Sequence, residues 1–369
     1  MCGDVMTGRG VDQILPHPGD PRLWEAYVQD ARAYVRLAED AHGRIPRPAG
    51  FSWPWGEALA TLDHVAPQVR LANLETSITR SIDVAAGKTV HYRMNPKNLP
   101  CLTEARLDAC VVANNHVLDF GRQGLTDTLD SLRSAGIQAA GAGRDAAEAA
   151  GPAVITPVGG AGRARIVLFA LATESGGTPP GWAAGPDRPG IDFLADLSEH
   201  SAERVTRRVR QWKRQGDIVV VSLHWGSNWG YTISADQVGF AHRLVEGGVD
   251  LVYGHSSHHP RPIEVHRGRL ILYGCGDLID DYEGIAGHEH YRDDLRLLYF
   301  PSVHPGSGWL TGLRMAPMRA RRMRLEPAPP EDAEWLRGLL NRISHRFGAQ
   351  VEWTGGGMLG LVDLAPPPA

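Results

Sequence analysis

Short apolar runs recur along the chain, and a cluster of polar residues follows each of them. The runs do not alternate apolar with polar positions, which is typical of strands that are covered on both faces. Strands are therefore predicted within residues 69–75, 107–114, 164–175, 216–224, 249–255 and 269–284.

Helical periodicity appears between these runs. Residues 126–136, 201–216 and 234–248 place apolar side chains at helical spacing, and the last two segments begin with a serine suited to cap a helix. Strands that alternate with helices predict an α/β fold. Residues 1–310 are predicted to form one domain, and residues 311–369 to add strands and a helix that complete it.

Composition and charge narrow the class of protein. The 369 residues carry a net charge of -4, which argues against a nucleic-acid-binding surface. The four cysteines form no CxxC pair and are expected to be reduced thiols. We see neither a signal peptide nor an apolar run long enough to span a bilayer. The expectation is a cytoplasmic protein that binds neither membrane nor nucleic acid, with its oligomeric state left open.

Polar residues collect where the predicted strands end. They are Asp4, Asn73 with Glu75, Asn115 with His116, His224, and His255 with His258. The carboxyl edge of an α/β sheet is where ligands bind. Carboxylate, amide oxygen and imidazole are also the ligand types of divalent metals. The pattern predicts a metal site at this edge.

The motifs GDVMTGR, NLETSIT, ANNHVLDFG, HWG, GHSSHHPRPIEV and YGCGDLIDDYEG occur in order from residue 3 to about residue 285. In order and spacing they resemble the CapA-like (poly-γ-glutamate synthesis) branch of the calcineurin-like metallophosphoesterase superfamily. The resemblance implies a two-sheet sandwich flanked by helices (α/β/β/α). It also implies a catalytic His116 oriented by Asp119, and a metal-binding set of Asp4, Glu75, Asn115, His224, His255 and His258.

Three positions depart from the phosphoesterase pattern. Met6 stands where a histidine ligand is usual, the Asn73/Glu75 pair replaces a bridging aspartate, and Asp277 replaces an asparagine. A thioether is a poor ligand for a hard cation. We therefore expect one divalent ion (Ca, Mn or Zn), with any second site weaker, and no organic cofactor.

The sequence leaves several functions open. The preferred hypothesis is a metal-dependent epimerase that inverts a Cα centre of a lasso-type peptide, because CapA-like proteins encoded with such peptides resemble epimerases. Its acid and base would be His116 with Asp119, and His255 or His258 with Asp277, Asp280 or Asp281. The alternatives are a phosphoester hydrolase in which His116 protonates the leaving group, a capsule or poly-γ-glutamate enzyme, and a non-catalytic binding module. His91, Arg93 and Trp225 are predicted to contact the peptide substrate.

Overall fold

A computed structural model describes residues 1–157 and 164–366. Its first strands are β1 Asp4–Val5, β2 Leu71–Leu74, β3 Ser77–Ile78, β4 Arg93–Met94, β5 Ala109–Val111, β6 Gln138–Ala140, β7 Ala142–Gly143, β8 Ala153–Ile155, β9 Ile166–Thr173, β10 Gly190–Ile191 and β11 Phe193–Leu194. The later strands are β12 Ile218–His224, β13 Leu251–His255, β14 Ile263–His266, β15 Arg269–Leu272, β16 Asp277–Ile279, β17 Leu295–Val303, β18 Leu310–Ala320, β19 Leu325–Pro327, β20 Val351–Gly355 and β21 Met358–Leu361.

The α-helices cover both outer faces of the sheets. They are α1 Arg9–Ile14, α2 Arg32–His42, α3 Ala58–Val65, α4 Pro100–Glu104, α5 Gly121–Ser134, α6 Ala146–Ala150, α7 Glu199–Trp212, α8 Ala235–Glu246 and α9 Pro330–Ser344. Within the described ranges, no helix is long and apolar enough to cross a membrane.

Two sheets form the centre of the molecule. The first has the order β16-β1-β2-β5-β6, and its neighbouring strands are all parallel. The second has the order β11-β9-β12-β13-β15-β14, with β8 paired to β9. Strands β9, β12, β13 and β15 of the second sheet run parallel, so their carboxyl ends reach one edge.

Alternate residues of the second sheet enter different cores, which explains the continuous apolar runs. Leu168 and Val220 join the central core, which also holds Leu71 and Ala109 of the first sheet. Their neighbours on the strands, such as Val219, join a second core with the apolar faces of α7 and α8. Burial on both faces removes the polar alternation. The predicted two-sheet sandwich flanked by helices is confirmed.

Element boundaries differ from the predictions where the chain turns on glycine or finds an earlier cap. Ser198 rather than Ser201 caps α7, whereas Ser234 caps α8 with a complete capping box, as predicted. The apolar run at 269–284 is two strands, β15 and β16, that belong to different sheets. Gly276, with φ of +73°, lies at the crossover between them.

The C-terminal part adds a separate antiparallel sheet. Its order is β17-β18-β21-β20, with β19 beside β18 and α9 packed against it. Strand β17 already belongs to this sheet, and β18 begins at Leu310, so the predicted division at residue 310 cuts through a strand pair. The division is better placed before β17, because β17 and β18 form a continuous antiparallel ladder.

Candidate metal centre and flanking imidazoles

Strand register builds the site as two rows of side chains. In the first sheet, Asp4 pairs in register with Asn73 on one side and with Asp277 on the other. In the second sheet, His224 pairs in register with His255. The parallel strands end together, so a carboxylate and amide row faces an imidazole row.

The Asn73 amide holds the two carboxylates of the first row. Its Nδ2 donates to Asp4 Oδ1 at 2.8 Å and to Glu75 Oε2 at 2.9 Å. Its Oδ1 accepts from Asn114 Nδ2 at 3.0 Å, so the amide orientation is set by a second amide. Asn73 therefore acts as a hydrogen-bonding bridge, because both ends of its amide are already occupied.

Burial and charge set opposite titration behaviour in the two carboxyls. Burial opposes ionisation of Asp4, but the His255 and His224 rings and the Asn73 amide outweigh it and lower the pKa of Asp4 to about 2. Burial, followed by the nearby Asp4 charge, raises the pKa of Glu75 well above its usual value. Without a cation the two carboxyls resist being charged together.

Imidazole nitrogens approach these carboxyls pairwise. Nδ1 of His255 lies 3.3 Å from Asp4 Oδ1. Nε2 of His224 and Nε2 of His116 each lie 3.9 Å from Glu75 Oε1. Burial lowers the pKa of His224 to about 3, so its ring is neutral and can offer a lone pair.

Several ligand-type atoms at this edge are buried without a hydrogen-bond partner among the described residues. They are Asp4 Oδ2, Asn115 Oδ1, both ring nitrogens of His224, and Nε2 of His255. A buried unpaired polar atom costs about 1–3 kcal/mol. A divalent ion bound by Asp4, Glu75, His224 and His255 would satisfy most of this set, so the residues fit the group that the sequence implies.

Asn115 lies beside His224, because a turn at Gly176 and Gly177 packs against both side chains. A Cβ on Gly176 would lie 2.9 Å from His224 Cδ2, and one on Gly177 would lie 3.0 Å from Asn115 Nδ2. The turn therefore packs against both side chains and brings them to one side of the centre. Since Asn115 Oδ1 has no hydrogen-bond partner there, it fits the predicted ligand role.

Met6 is fully buried beside the centre, and its sulfur accepts from the Tyr282 hydroxyl at 3.6 Å. The Tyr282 hydroxyl in turn accepts from the Tyr92 hydroxyl at 3.0 Å. Phenols and a thioether therefore occupy the position where the phosphoesterase pattern has a histidine. This environment offers no strong ligand to a second ion.

The first imidazole–carboxylate dyad is His116 with Asp119. Nδ1 of His116 lies 2.6 Å from Asp119 Oδ2, while Asp119 Oδ1 accepts from Lys88 Nζ at 2.5 Å. The backbone N–H of Tyr92 also donates to Asp119. With Nδ1 held by the carboxylate, the lone pair of a neutral His116 lies on Nε2. Burial lowers the pKa of His116 to about 4, because Asp119 only partly offsets it and Lys88 adds to the decrease.

The second dyad is His258 with Asp277. Nδ1 of His258 lies 3.0 and 3.1 Å from the two Asp277 oxygens, and the Asn228 side-chain amide lies 3.0 Å from Nε2. Burial opposes protonation of this ring, but Asp277 outweighs it and raises the pKa of His258. His116 and His258 are each 8% exposed, against 1% for His224 and His255. The two dyads are therefore the imidazoles that a substrate can reach.

Asp277 pairs with His258, one of the two histidines proposed as its partner from the sequence. The sequence left His255 and His258 open as the partner of Asp277, and the structure pairs Asp277 with His258, because His255 faces Asp4. The carboxylate of Asp280 pairs with Arg296 at 2.5 Å, and that of Asp281 pairs with Arg9. Both carboxylates are held in buried ion pairs with arginine, and neither forms a hydrogen bond to an imidazole within the described ranges.

Two predicted substrate contacts are structural instead. Trp225 is buried, stacks with Tyr273 and donates its Nε1 to the Tyr273 carbonyl at 3.1 Å, so it cannot contact a peptide. His91 is buried against Phe120, and its Nε2 lies 2.9 Å from the Ala85 carbonyl. Contacts inside the protein hold both rings: Trp225 lies against Tyr273 and Phe240 of α8, and His91 lies against Phe120 and the Ala85 carbonyl.

Arg93 is only partly buried. Its Nη1 donates to the Ser81 carbonyl at 2.8 Å, and its guanidinium lies over the Phe120 ring. It also lines a cavity of about 290 Å³ with Asp12 and Asp20. Its contact with a substrate stays a prediction.

Sequence reasoning missed Lys88, Tyr92, Tyr282 and Asn228. These residues lie outside the strand-end pattern, and loops bring them to the dyads. Only Tyr282 lay within a quoted motif, YGCGDLIDDYEG. The YEG letters after the acidic pair were the one signal that could have drawn attention to it.

The fold and the ligand-type side chains at the strand ends describe an α/β sandwich with a candidate metal site. The family model described as "Bacterial capsule synthesis protein PGA_cap" matches residues 1–282. The chain belongs to this family.

Two related sequences agree with that assignment. The chain is 54% identical over 364 residues to a "Probable polyglutamine synthesis accessory protein" of Mycobacterium tuberculosis, which covers 98% of this chain and 95% of the relative. It is 30% identical over 297 residues to the "PGA biosynthesis protein CapA" of Bacillus subtilis, covering 80% of this chain and 66% of the relative. Among solved structures, a 5'-nucleotidase precursor from Thermus thermophilus matches 79% of this chain and 53% of its own, with 14% identity and a TM-score of 0.43.

Proposed function

We propose that this protein is a metal-dependent hydrolase that cleaves amide bonds in a glutamate polymer. The observation that carries the proposal is the buried strand-end centre with unpartnered ligand atoms, flanked by two imidazole–carboxylate dyads. The polymer class is suggested by the names of the relatives, which refer to polyglutamine and PGA synthesis.

The chemistry requires a base, an acid and a polarised carbonyl. Asp4, Glu75, His224 and His255 would hold a divalent ion, which would supply Lewis-acid polarisation of the carbonyl and lower the pKa of water. His116, neutral and oriented by Asp119, takes a proton from the attacking water through Nε2. His258, whose pKa Asp277 raises, gives a proton to the leaving nitrogen. The water oxygen bonds to the carbonyl carbon, the C–N bond breaks, and its electron pair stays on the released amine.

Amide cleavage fits the centre better than phosphoester cleavage. A two-metal phosphoester mechanism needs ligands for both ions, and Met6 with the Asn73 amide removes them from one position. The Asp277 carboxylate adds negative charge near the dyads, which opposes a bound phosphate. The imidazole ligands favour Mn or Zn over Ca, which prefers an all-oxygen set.

An aromatic wall beside His258 offers a surface for the polymer chain. Trp229 stacks on His288 with ring centroids 3.8 Å apart, and it lies 5.2 Å from the His258 ring. Tyr291 stacks on His259 and lies 5.2 Å from Trp229. Trp229, His288 and Tyr291 are partly exposed. Flat apolar faces of this kind pack against the methylene groups of a glutamyl chain at low entropic cost.

The experiment is a cleavage assay on poly-γ-glutamate and poly-α-glutamate with Mn²⁺ or Zn²⁺, read by the appearance of new amino groups. We expect metal-dependent release that is lost in His116→Gln and retained in His200→Gln, a matched change at an exposed histidine of α7. Failure to release amines from either polymer with either metal would overturn the proposal. A phosphodiester dye run in parallel identifies phosphoester hydrolysis if that is the real activity.

Peptide epimerisation is the second candidate, and the pair of dyads favours it specifically. Inversion at a Cα needs a base on one face and an acid on the other, and His116 and His258 provide two separately oriented imidazoles. Incubation of a candidate precursor peptide in heavy water distinguishes the two reactions. Deuterium gained at one Cα without cleavage supports epimerisation, and its absence with cleavage supports hydrolysis.

A peptide-like partner and a cytoplasmic location are part of this proposal. The location is supported by the four cysteines, which are all free and buried. Cell fractionation followed by thiol labelling of the denatured protein tests it. We expect four reactive thiols in the cytoplasmic fraction.

A further inference from the structure

A second group of metal-ligand side chains lies away from the strand-end centre, between α8 and the edge strand β14. His242 and Glu246 are one helical turn apart on α8, and Glu264 and His266 alternate along β14. One ligand atom each from His242, Glu264 and His266 lie within 4.8 Å of one another. We call His242, Glu264 and His266 the rim cluster.

Strand alternation directs the rim cluster toward the helix. Ile263 and Val265 contact the central core, so Glu264 and His266 project from the opposite face, on which α8 packs. The β14–β15 hairpin fixes this register through Arg267 and Gly268, both with positive φ, as in a type I′ turn. The turn and the core therefore hold two ligands on one strand without a metal.

The contacts within the rim cluster are those of ligands held close by hydrogen bonds. Nε2 of His242 lies 2.7 Å from Glu264 Oε1, and the His242 and His266 rings are parallel with centroids 3.8 Å apart. The other oxygen of Glu264 accepts from the Tyr273 hydroxyl at 2.7 Å. A carboxylate oriented by a second residue is typical of the support that metal ligands receive.

We propose that the rim cluster is a separate site for a divalent transition metal of the zinc class. Two imidazoles and one carboxylate are a common ligand set for zinc, with water in the remaining position. Tetrahedral ligand atoms at the usual bond lengths of about 2.0–2.1 Å stand about 3.4 Å apart. The ligand atoms of the rim cluster lie within 4.8 Å of one another, so each pair would have to approach by at most about 1.4 Å to reach this spacing.

The histidines of the rim cluster are open to solvent, and Glu246 contacts one of them from the helix. The side chains of His242 and His266 are 28% and 20% exposed, so an ion and its water can enter. Glu246 already engages Arg267 at 3.0 Å and His266 at 3.2 Å, and it steadies His266 from the helix. Binding would clamp α8 to the edge strand that follows the His258 segment.

The first test counts zinc in the full chain. Metal-free protein is dialysed against Zn²⁺, and bound zinc is measured for wild type, His242→Gln/His266→Gln and the matched control His200→Gln. We expect the double variant to bind one equivalent fewer, with unchanged circular dichroism, and the control to equal wild type. Equal zinc in the double variant and wild type would overturn the proposal.

A second test needs no variant, so a folding defect cannot obscure the result. Histidines of the wild-type protein are modified with diethylpyrocarbonate with and without Zn²⁺, and labelling is read by peptide mass spectrometry. Protection of both His242 and His266, with His200 unaffected, supports the site. Equal labelling of His242 and His266 in both conditions contradicts it. Neither outcome depends on the proposed hydrolase activity.

Discussion

The two dyads have the same parts in different surroundings. In each, a carboxylate holds Nδ1 of an imidazole that is 8% exposed beside the metal centre. Asp119 also accepts hydrogen bonds from the Lys88 ammonium and the Tyr92 N–H. Within the described ranges, the one imidazole or cationic group within hydrogen-bond distance of Asp277 is His258. The positive charge of Lys88 therefore partly cancels the effect of the Asp119 carboxylate on the pKa of His116. The pKa of His116 falls to about 4, and the pKa of His258 rises.

The difference teaches how one type of pair can supply both a base and an acid. Burial by itself lowers the pKa of both imidazoles. At His116 the Asp119 charge, opposed by Lys88, does not offset burial, whereas at His258 the charges of Asp277, Asp4 and Asp280 together outweigh it. Two groups whose environments separate their pKa values divide the acid and base roles between them. Each prediction below alters one side of this comparison.

The largest effect is expected when either imidazole is removed. His116→Gln and His258→Gln should each lower kcat/KM for glutamate-polymer cleavage by about 100-fold to 1,000-fold, as lost general base or acid catalysis does. The pH profile of wild type should be bell-shaped. His116→Gln should remove its acidic limb and His258→Gln its alkaline limb. Identical profiles for the two variants would show that the dyads do not divide the roles.

The carboxylates should differ in their effect on stability. Asp119→Asn leaves the largely buried Lys88 ammonium without its partner and should lower the free energy of unfolding by about 3 kcal/mol. Asp277→Asn removes only the bond to His258 and should cost about 1 kcal/mol. Urea denaturation of the metal-free proteins measures both values. A larger loss of unfolding free energy in Asp277→Asn than in Asp119→Asn would contradict this comparison of the two dyads.

The pH dependence of stability in metal-free protein should have opposite signs at the two histidines. An unfolded histidine has a pKa near 6.5. Because the folded pKa of His116 is depressed, its contribution is present above about pH 6.5 and is lost as pH falls toward about 4. Because the folded pKa of His258 is raised, its contribution is full below about pH 6.5 and is lost as pH rises through the folded pKa.

Urea midpoints from about pH 4 to about pH 9 test this pair of signs. His116→Gln should reduce the loss of stability on the acidic side, and His258→Gln the loss on the alkaline side. Unchanged slopes in both variants would mean that other groups dominate the titration.

The smallest effect is expected from Lys88→Met. Removing the ammonium takes away a charge that lowers the pKa of His116, so that pKa should rise by less than about 1 unit. The acidic limb of the activity profile should move to higher pH by the same amount. Lys97→Met, at an exposed position, is the matched control and should leave the limb in place.

The strand ends of the site could be predicted because strands buried on both faces have long apolar runs. The residues at the ends of those runs, such as Glu75, His224 and His255, were placed at one edge by parallel register alone. The pairing of each ligand could not be predicted. Whether Asp277 meets His255 or His258 depends on a turn at Ser256, where φ is +98°. Lys88 reaches Asp119 from a loop that no periodic pattern describes.

The fold shows the same limit. The segment 269–284 was predicted as one strand, and its division between two sheets depends on the positive φ of Gly276. Trp225 follows the His224 strand end directly in sequence, yet it turns into the core beside Tyr273. Apolar periodicity gives the presence of a strand, whereas the direction of the residue after it depends on local backbone angles.

The amide of Asn73 has one further consequence. By donating to Asp4 and Glu75 together, it ties these carboxyls with hydrogen bonds rather than with a cation. Loading and unloading of the ion should therefore be separable from folding. We expect chelated protein to keep its near-ultraviolet circular dichroism and to regain activity within the mixing time when metal is restored. The metal occupancy of the centre would then follow the free metal concentration reversibly, without unfolding of the protein.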